Sequence, residues 1–173
     1  MERKALAAKL YEVANITGEF KLRSGKTSDH YFDKYRFEAQ PALLKAITEL
    51  MVPLIPSSTD VLAGLEMGGI PIATLLSQWT GIPTCFVRKE AKAYGTCQFA
   101  EGADISGKRV VIIEDVITSG GQAVLSTADL RSAKAHIEDV LCVIDREEGG
   151  QQKLNAAGLN LHALFRACEL TPS

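Results

Sequence analysis

The chain has 173 residues, 46% of them hydrophobic and 23% charged, with a formal net charge of −2. That balance suits one folded domain with a full core, and the slight acidity argues against nucleic acid as the main partner. No apolar run reaches the roughly 18–20 residues of a membrane span, so no membrane partner is expected.

The charged, amphipathic start MERKALAAKLYEVANIT does not read as a signal peptide. Cys85, Cys97, Cys142 and Cys168 show no C-x-x-C spacing. Neither zinc nor a redox pair is indicated, and the chain reads as cytoplasmic with reduced thiols. Leu6, Leu10 and Val13 fall at helical spacing and predict a helix over residues 5–15, with Gly18 as its stop. Residues 20–33 predict short extended pieces around the turn Ser24-Gly25-Lys26. Pro41 opens a predicted helix that runs to residue 51, with Leu43, Leu44, Ile47, Leu50 and Met51 on one face. A strand over 61–64, a helix over 69–79 and a strand over 83–88 follow. Residues 91–107 are a long polar segment with no hydrophobic face. Strands over 110–114 and 137–145 flank a helix over about 122–133, and a short helix over 149–157 precedes a last strand over 159–165.

Strands alternating with helices imply right-handed βαβ units and an α/β fold with a central parallel sheet flanked by helices. The two ends of the chain lie outside that alternation. Segments of about 18–36 and 146–173 are therefore expected to form a small hood over a core of about 41–145, within one domain spanning 1–173. Cys85 and Cys142 lie in apolar strands and are expected to be buried.

Residues 110–122, VVIIEDVITSGGQ, carry the densest chemistry. An apolar, β-branched run suits a buried parallel strand. Thr118, Ser119, Gly120 and Gly121 can wrap a tight turn at the start of a helix, where backbone N–H groups and a partial positive charge favour phosphate. Glu114 and Asp115 cannot welcome phosphate, so they need another task. Accepting hydrogen bonds from sugar hydroxyls, directly or through magnesium, is the natural one, and a phosphate beside a diol is a ribose phosphate. An ordinary strand–turn–helix crossover accounts for the apolar run and the glycines. It does not account for two acids at the carboxyl end of a strand, where ligands bind in open α/β sheets. Neither a Walker phosphate loop nor a G-x-G-x-x-G fingerprint is present.

Residues 62–71, LAGLEMGGIP, form a second strand-to-helix junction whose glycines allow close backbone approach to an anion. Taken alone, a plain βα turn explains it equally well, and the Glu66 side chain is expected to point away from any diphosphate. Residues 88–95, RKEAKAYG, gather Arg88, Lys89 and Lys92 at a strand end and on the loop after it. A solvated basic turn and an anion clamp both fit that stretch by itself.

The order of these motifs resembles type I phosphoribosyltransferases, which bind phosphoribosyl pyrophosphate (PRPP), and among them the orotate phosphoribosyltransferase family. The segment RKEAKAYG resembles that family's RK-x-x-K-x-H-G catalytic loop, with Tyr94 in place of the usual histidine. Residues 20–26 with Tyr31, Phe32 and Asp33 resemble its amino-terminal element over orotate, and residues 145–150 its D-R-x-E-x-G segment. Gly68 stands where some members carry a lysine.

The resemblance implies transfer of ribose 5-phosphate from PRPP to orotate, giving orotidine 5'-monophosphate and pyrophosphate in pyrimidine biosynthesis. Lys92, Asp115 and Glu114 would be the catalytic residues. Arg88, Lys89, Lys92, Tyr94, Glu114, Asp115, Val116, Ile117, Thr118, Ser119, Gly120, Gly121 and Gln122 would bind PRPP. Arg23, Tyr31, Phe32, Thr118 and Arg146 would bind orotate. Mg2+ would be held mainly by PRPP oxygens with no dedicated protein ligand, and a homodimer would share the catalytic loop across its interface. A phosphoribosyltransferase for another nucleobase and a non-catalytic PRPP sensor are the alternatives.

Overall fold

A computed structural model describes residues 1–21, 25, 27–89 and 99–170. Leu6 and Leu10, both fully buried, fix the inner face of helix α1 (Arg3–Ala14). The chain becomes extended at Asn15, three residues before Gly18. Strand β1 (Asn15–Lys21) then pairs antiparallel with β2 (Thr27–Phe32) as a separate two-stranded ribbon. Gly18 is therefore not a helix stop. It lies where the ribbon's register shifts, and a Cβ there would come within 3.1 Å of the Phe20 ring.

The short helix α2 (Tyr35–Glu38) leads into α3 (Pro41–Met51), whose bounds are the expected ones. Its proline occupies the first turn, where an N–H would have no helical partner. Leu43, Ala46, Ile47 and Met51 bury one stripe of it.

Strand β3 (Val61–Leu65) is buried at every position, and α4 (Glu66–Thr80) follows it directly. Next come β4 (Thr84–Val87), β5 (Ala100–Gly102) and β6 (Arg109–Ile117). Helix α5 (Gly121–Ser132), β7 (His136–Asp145), α6 (Gly150–Ala156), β8 (Asn160–Arg166) and α7 (Ala167–Leu170) complete the order. The main sheet runs β5-β4-β3-β6-β7-β8, parallel throughout except for β5, which is antiparallel to β4.

Two expectations are corrected here. The polar segment 91–107 holds β5, a three-residue edge strand that has no apolar signal and exists through pairing with β4, Cys85 opposite Gly102. The last strand does not join a hood: β8 pairs in parallel with β7, from Asn160 opposite Asp139 to Arg166 opposite Asp145. Phe165 is fully buried there, so the strand's apolar residues bury more surface in the main core than a small ribbon could offer. Of the carboxyl-terminal elements, α7 approaches the ribbon. Ala167 and Leu170 share a cavity of about 440 Å³ with Tyr11, Asn15, Tyr31 and Phe32.

Alternation along β6 divides the core into two layers. Val111 and Ile113 pack with α1, α3 and α4 residues such as Leu10, Ile47 and Leu76. Val110 and Ile112 pack on the other face with Leu130 and Leu154 of α5 and α6. Cys85 and Cys142 are buried, and burial pushes the Cys85 thiol up to about 11. Because β3, β4, β6, β7 and β8 run the same way, their carboxyl ends meet at one edge of the sheet.

Candidate active site at the carboxyl edge of the sheet

Four of the motifs converge on that edge: Glu66 after β3, Arg88 after β4, Thr118 after β6 and Arg146 after β7. Strand β6 runs further than expected. Val116 and Ile117 are sheet residues, opposite Ile144 and Asp145, and Ile117 is buried. The loop itself is only Thr118, Ser119 and Gly120. Gly120 has φ +70°, a left-handed conformation that favours glycine, and α5 begins at the next residue without a side-chain cap. The first-turn N–H groups of α5 are thus left for an outside acceptor, and the helix dipole favours an anion there.

The loop rests on the start of α6. A Cβ on Gly150 would lie 2.4 Å from Ile117 Cγ2 and 2.7 Å from the Thr118 carbonyl oxygen. Lys153 of α6 extends its ammonium toward the same loop, 3.4 Å from where a Gly121 Cβ would stand. No motif marks Lys153, because an exposed lysine on a distant helix looks like any solvated charge.

The two acids do not face one ligand side by side. Neighbouring strand residues point to opposite faces, and here Glu114 is partly exposed while Asp115 is completely buried. Burial, and then the nearby Asp115, push the Glu114 carboxyl up to about 8. Asp115 turns inward, where Lys34 Nζ lies 2.5 Å from its Oδ2. Its Oδ1 accepts a hydrogen bond from the Val116 N–H at 2.5 Å. The carboxylate occupies space left by Gly68, where a Cβ would fall 1.9 Å from Asp115 Oδ2. A lysine at position 68 would collide with Asp115 as it stands.

Glu38 lies against the same carboxylate. Burial first, then Asp115, push its carboxyl from 4.5 up to about 9, which favours the neutral acid at neutral pH. The folded protein keeps a proton that the unfolded chain releases near pH 4.5. Stability attributable to Glu38 therefore falls as pH rises from about 4.5 to about 9. Glu38→Gln should melt close to wild type at pH 5 and above it at pH 8.5, read by thermal denaturation across that range. Parallel melting curves would refute the neutral acid.

Beside the phosphate loop, Tyr31, Phe32, Lys34, Val116, Thr118, Arg146 and Glu148 line a cavity of about 230 Å³. The Arg146 guanidinium lies over the Phe32 ring, 5.5 Å from its centre, and 3.5 Å from Glu148. Its backbone N–H donates to the Ile117 carbonyl, tying the end of β7 to the end of β6. Tyr31 tilts against Phe20 at 5.4 Å and remains 46% exposed. Two aromatic rings, a hydroxyl and two cations suit a flat, anionic, hydrogen-bonding ring.

Arg88 and Lys89 follow β4 with exposed side chains. The Arg88 N–H donates to the Phe99 carbonyl, and the Lys89 N–H to the Glu66 carboxylate. Glu66, exposed and at φ +50°, engages this segment's backbone. Arg23, Lys92 and Tyr94 lie outside the described residues. Among the described residues, no three His, Cys, Asp or Glu side chains converge as metal ligands, and no helix is long and apolar enough to cross a membrane.

A βα phosphate loop, an acid at its strand end and a basic strand end beside an aromatic cavity define a domain that handles phosphorylated sugars. The sequence matches the phosphoribosyl transferase domain over residues 35–155, and the chain belongs to that family. Within it the chain stands among the orotate phosphoribosyltransferases. It is 50% identical to the orotate phosphoribosyltransferase of a Nocardioides species, over 95% of this chain and 92% of that one. Its fold is similar to crystal structures of Mycobacterium tuberculosis H37Rv orotate phosphoribosyltransferase. The complex with Fe(III) dicitrate has a TM-score of 0.88 at 29% identity, covering 98% of this chain and 99% of that one. The complex with 5-phospho-α-D-ribosyl 1-diphosphate has a TM-score of 0.83 at 26% identity, covering 97% and 98%.

Proposed function

We infer that the protein is an orotate phosphoribosyltransferase: it transfers the ribose 5-phosphate of PRPP to a ring nitrogen of orotate, releasing pyrophosphate and orotidine 5'-monophosphate. The observation that carries this reading is the adjacency of the uncapped α5 amides to a cavity walled by Phe32, Tyr31 and Arg146. One subsite suits the sugar's phosphate and the other a flat anionic base. Holding both in one site makes their encounter effectively intramolecular, which removes part of the entropic barrier.

As pyrophosphate departs, the anomeric carbon gains positive character and the leaving oxygens gain negative charge. Thr118, Ser119, Gly120 and Gly121 hold the 5-phosphate, with Gln122 and Lys153 at its margin. Burial raises the Glu114 carboxyl. The positive charge of the reacting sugar or a bound cation would favour its ionised form, in which it accepts hydrogen bonds from the ribose hydroxyls. Arg88, Lys89 and Lys92 stabilise the leaving group, and Tyr94 donates a hydrogen bond to it. Phe32 and Arg146 hold orotate, with Tyr31, Thr118 and Arg23 around it. Magnesium, when bound, supplies charge neutralisation for the diphosphate. The hard carboxyl oxygens of Glu114 fit it, and substrate oxygens would provide most of its ligands.

The reading includes a cytoplasmic homodimer in which segment 88–95 of one subunit completes the site of the other. Exposed Met67 and Phe86, on the elements next to that segment, support an apolar contact there. Mixing inactive Lys92→Ala subunits with inactive Glu114→Ala subunits should then regenerate about a quarter of wild-type activity, since half the dimers would hold one intact site. No recovery after subunit exchange would show that the segment serves its own subunit.

A panel of nucleobases with labelled PRPP tests the substrate. Orotate alone should give a nucleotide product. A preference for a purine or uracil would point to a different transferase, and PRPP binding with no pyrophosphate release on any base would point to a sensor.

A further inference from the structure

We propose that Lys34 is a specificity-determining residue of the base cavity, an ammonium group that contacts the carboxylate of the incoming base and is held in place by buried Asp115. This inference rests on the orotate reading above and names a residue that none of the recognised motifs contains.

Lys34 has two faces. It lines the cavity with Phe32, Thr118 and Arg146, and its side chain remains 33% exposed. Behind it, Asp115 is completely shut off from solvent and lies 2.5 Å from the ammonium. The lysine therefore stands between the cavity and the carboxylate. An ammonium has three N–H donors; with Asp115 on one side of it, others remain for a ligand.

The surroundings keep this cation from being consumed by the protein. Glu38, next to Asp115, is a neutral acid at neutral pH and adds no second negative charge. Asp115 itself is wedged into the space above Gly68 and anchored by the Val116 N–H, so it cannot follow a moving lysine far. The Tyr35 ring, 5.2 Å from Nζ, limits the lysine's swing on the other side. Arg146 faces the same cavity, and its partner Glu148 is half-exposed at 3.5 Å, a pair weak enough to yield to a better acceptor. A flat ring in this cavity would thus meet two cations, which favours a base carrying a carboxylate over a neutral one.

Steady-state kinetics of Lys34→Met and Lys34→Arg, with KM measured separately for orotate and for PRPP, tests this. Lys34→Met should raise the orotate KM about tenfold or more while the PRPP KM stays within about twofold, and Lys34→Arg should recover most of the loss. Inhibition by uracil, which lacks the carboxylate, should be the same in wild type and variant. Lys34→Met leaves Asp115 buried without a cation, so a double variant Lys34→Met, Asp115→Asn, with neither charge, carries the same test if the single variant does not fold. An unchanged orotate KM in the folded variant, or a rise confined to PRPP, would overturn the assignment. Wild type that turned over no orotate would remove the functional reading and this inference together. Normal wild-type turnover with an unaltered variant would remove only the role of Lys34.

Discussion

Lys92→Ala should lower kcat by about two to three powers of ten, the usual cost of removing one group that stabilises charge developing in a transition state. Pyrophosphate is the group that gains negative charge as its bond to the sugar breaks. A cation that meets it only at that moment accelerates the reaction, whereas one that binds the ground state equally well merely tightens KM. Arg88 and Lys89 directly follow β4, with exposed side chains. Lys92 follows them in the sequence, and position 94 is tyrosine, which brings no positive charge at neutral pH. The KM for PRPP should change much less than kcat. A variant within tenfold of wild-type turnover would strip Lys92 of its assigned role.

Gly69→Ala should lower the melting temperature by roughly 5–10 °C, with a matching fall in active protein. A Cβ at position 69 would lie 2.1 Å from the Ile113 carbonyl oxygen and 3.2 Å from the Gly64 backbone carbon. These are backbone atoms, so no side-chain rotation relieves the overlap. Ile113 is paired with Gly64 on one side and Leu141 on the other, and shifting it would disturb the centre of the sheet. The likeness of this glycine to a ligand-binding one is therefore partly misleading: in the folded chain it allows α4 to cross β6 at backbone contact. Differential scanning calorimetry measures the effect. An unchanged melting temperature would mean that the helix can move away from the strand at little cost.

Much of the architecture is legible in the sequence because periodicity and punctuation agree. Pro41 and the stripe from Leu43 to Met51 specify α3 to the residue, and the run from Val110 to Ile113 reads as a buried parallel strand. The convergence of Arg88, Thr118 and Arg146 follows from parallel strands that share one carboxyl edge. Other features depend on partners far along the chain. Strand β5 has no apolar alternation and owes its form to β4. Strand β8 reads the same whether it closes a hood or extends the sheet, and only its burial against β7 decides. Val116 and Ile117 follow two acids and look like loop, yet their apolar side chains keep the strand going.

Within the site, the phosphate loop could be read from local spacing, and Arg146 through the resemblance of residues 145–150 to the family's D-R-x-E-x-G segment. The inward turn of Asp115 could not, because adjacent acids look equivalent in a sequence and become opposite only on a pleated strand. Lys34 gave no signal at all. A lysine beside an aspartate before a short helix looks like a surface charge, and its partner on β6 becomes its neighbour only when the sheet forms.

The most direct measurement follows orotate absorbance and pyrophosphate together after purified protein is mixed with orotate, PRPP and magnesium. Both should change in step, one orotate lost for each pyrophosphate released, with neither changing when one substrate is omitted. Steady orotate absorbance at saturating PRPP, or pyrophosphate released at the same rate without orotate, would contradict the assignment of this sheet edge to pentosyl transfer.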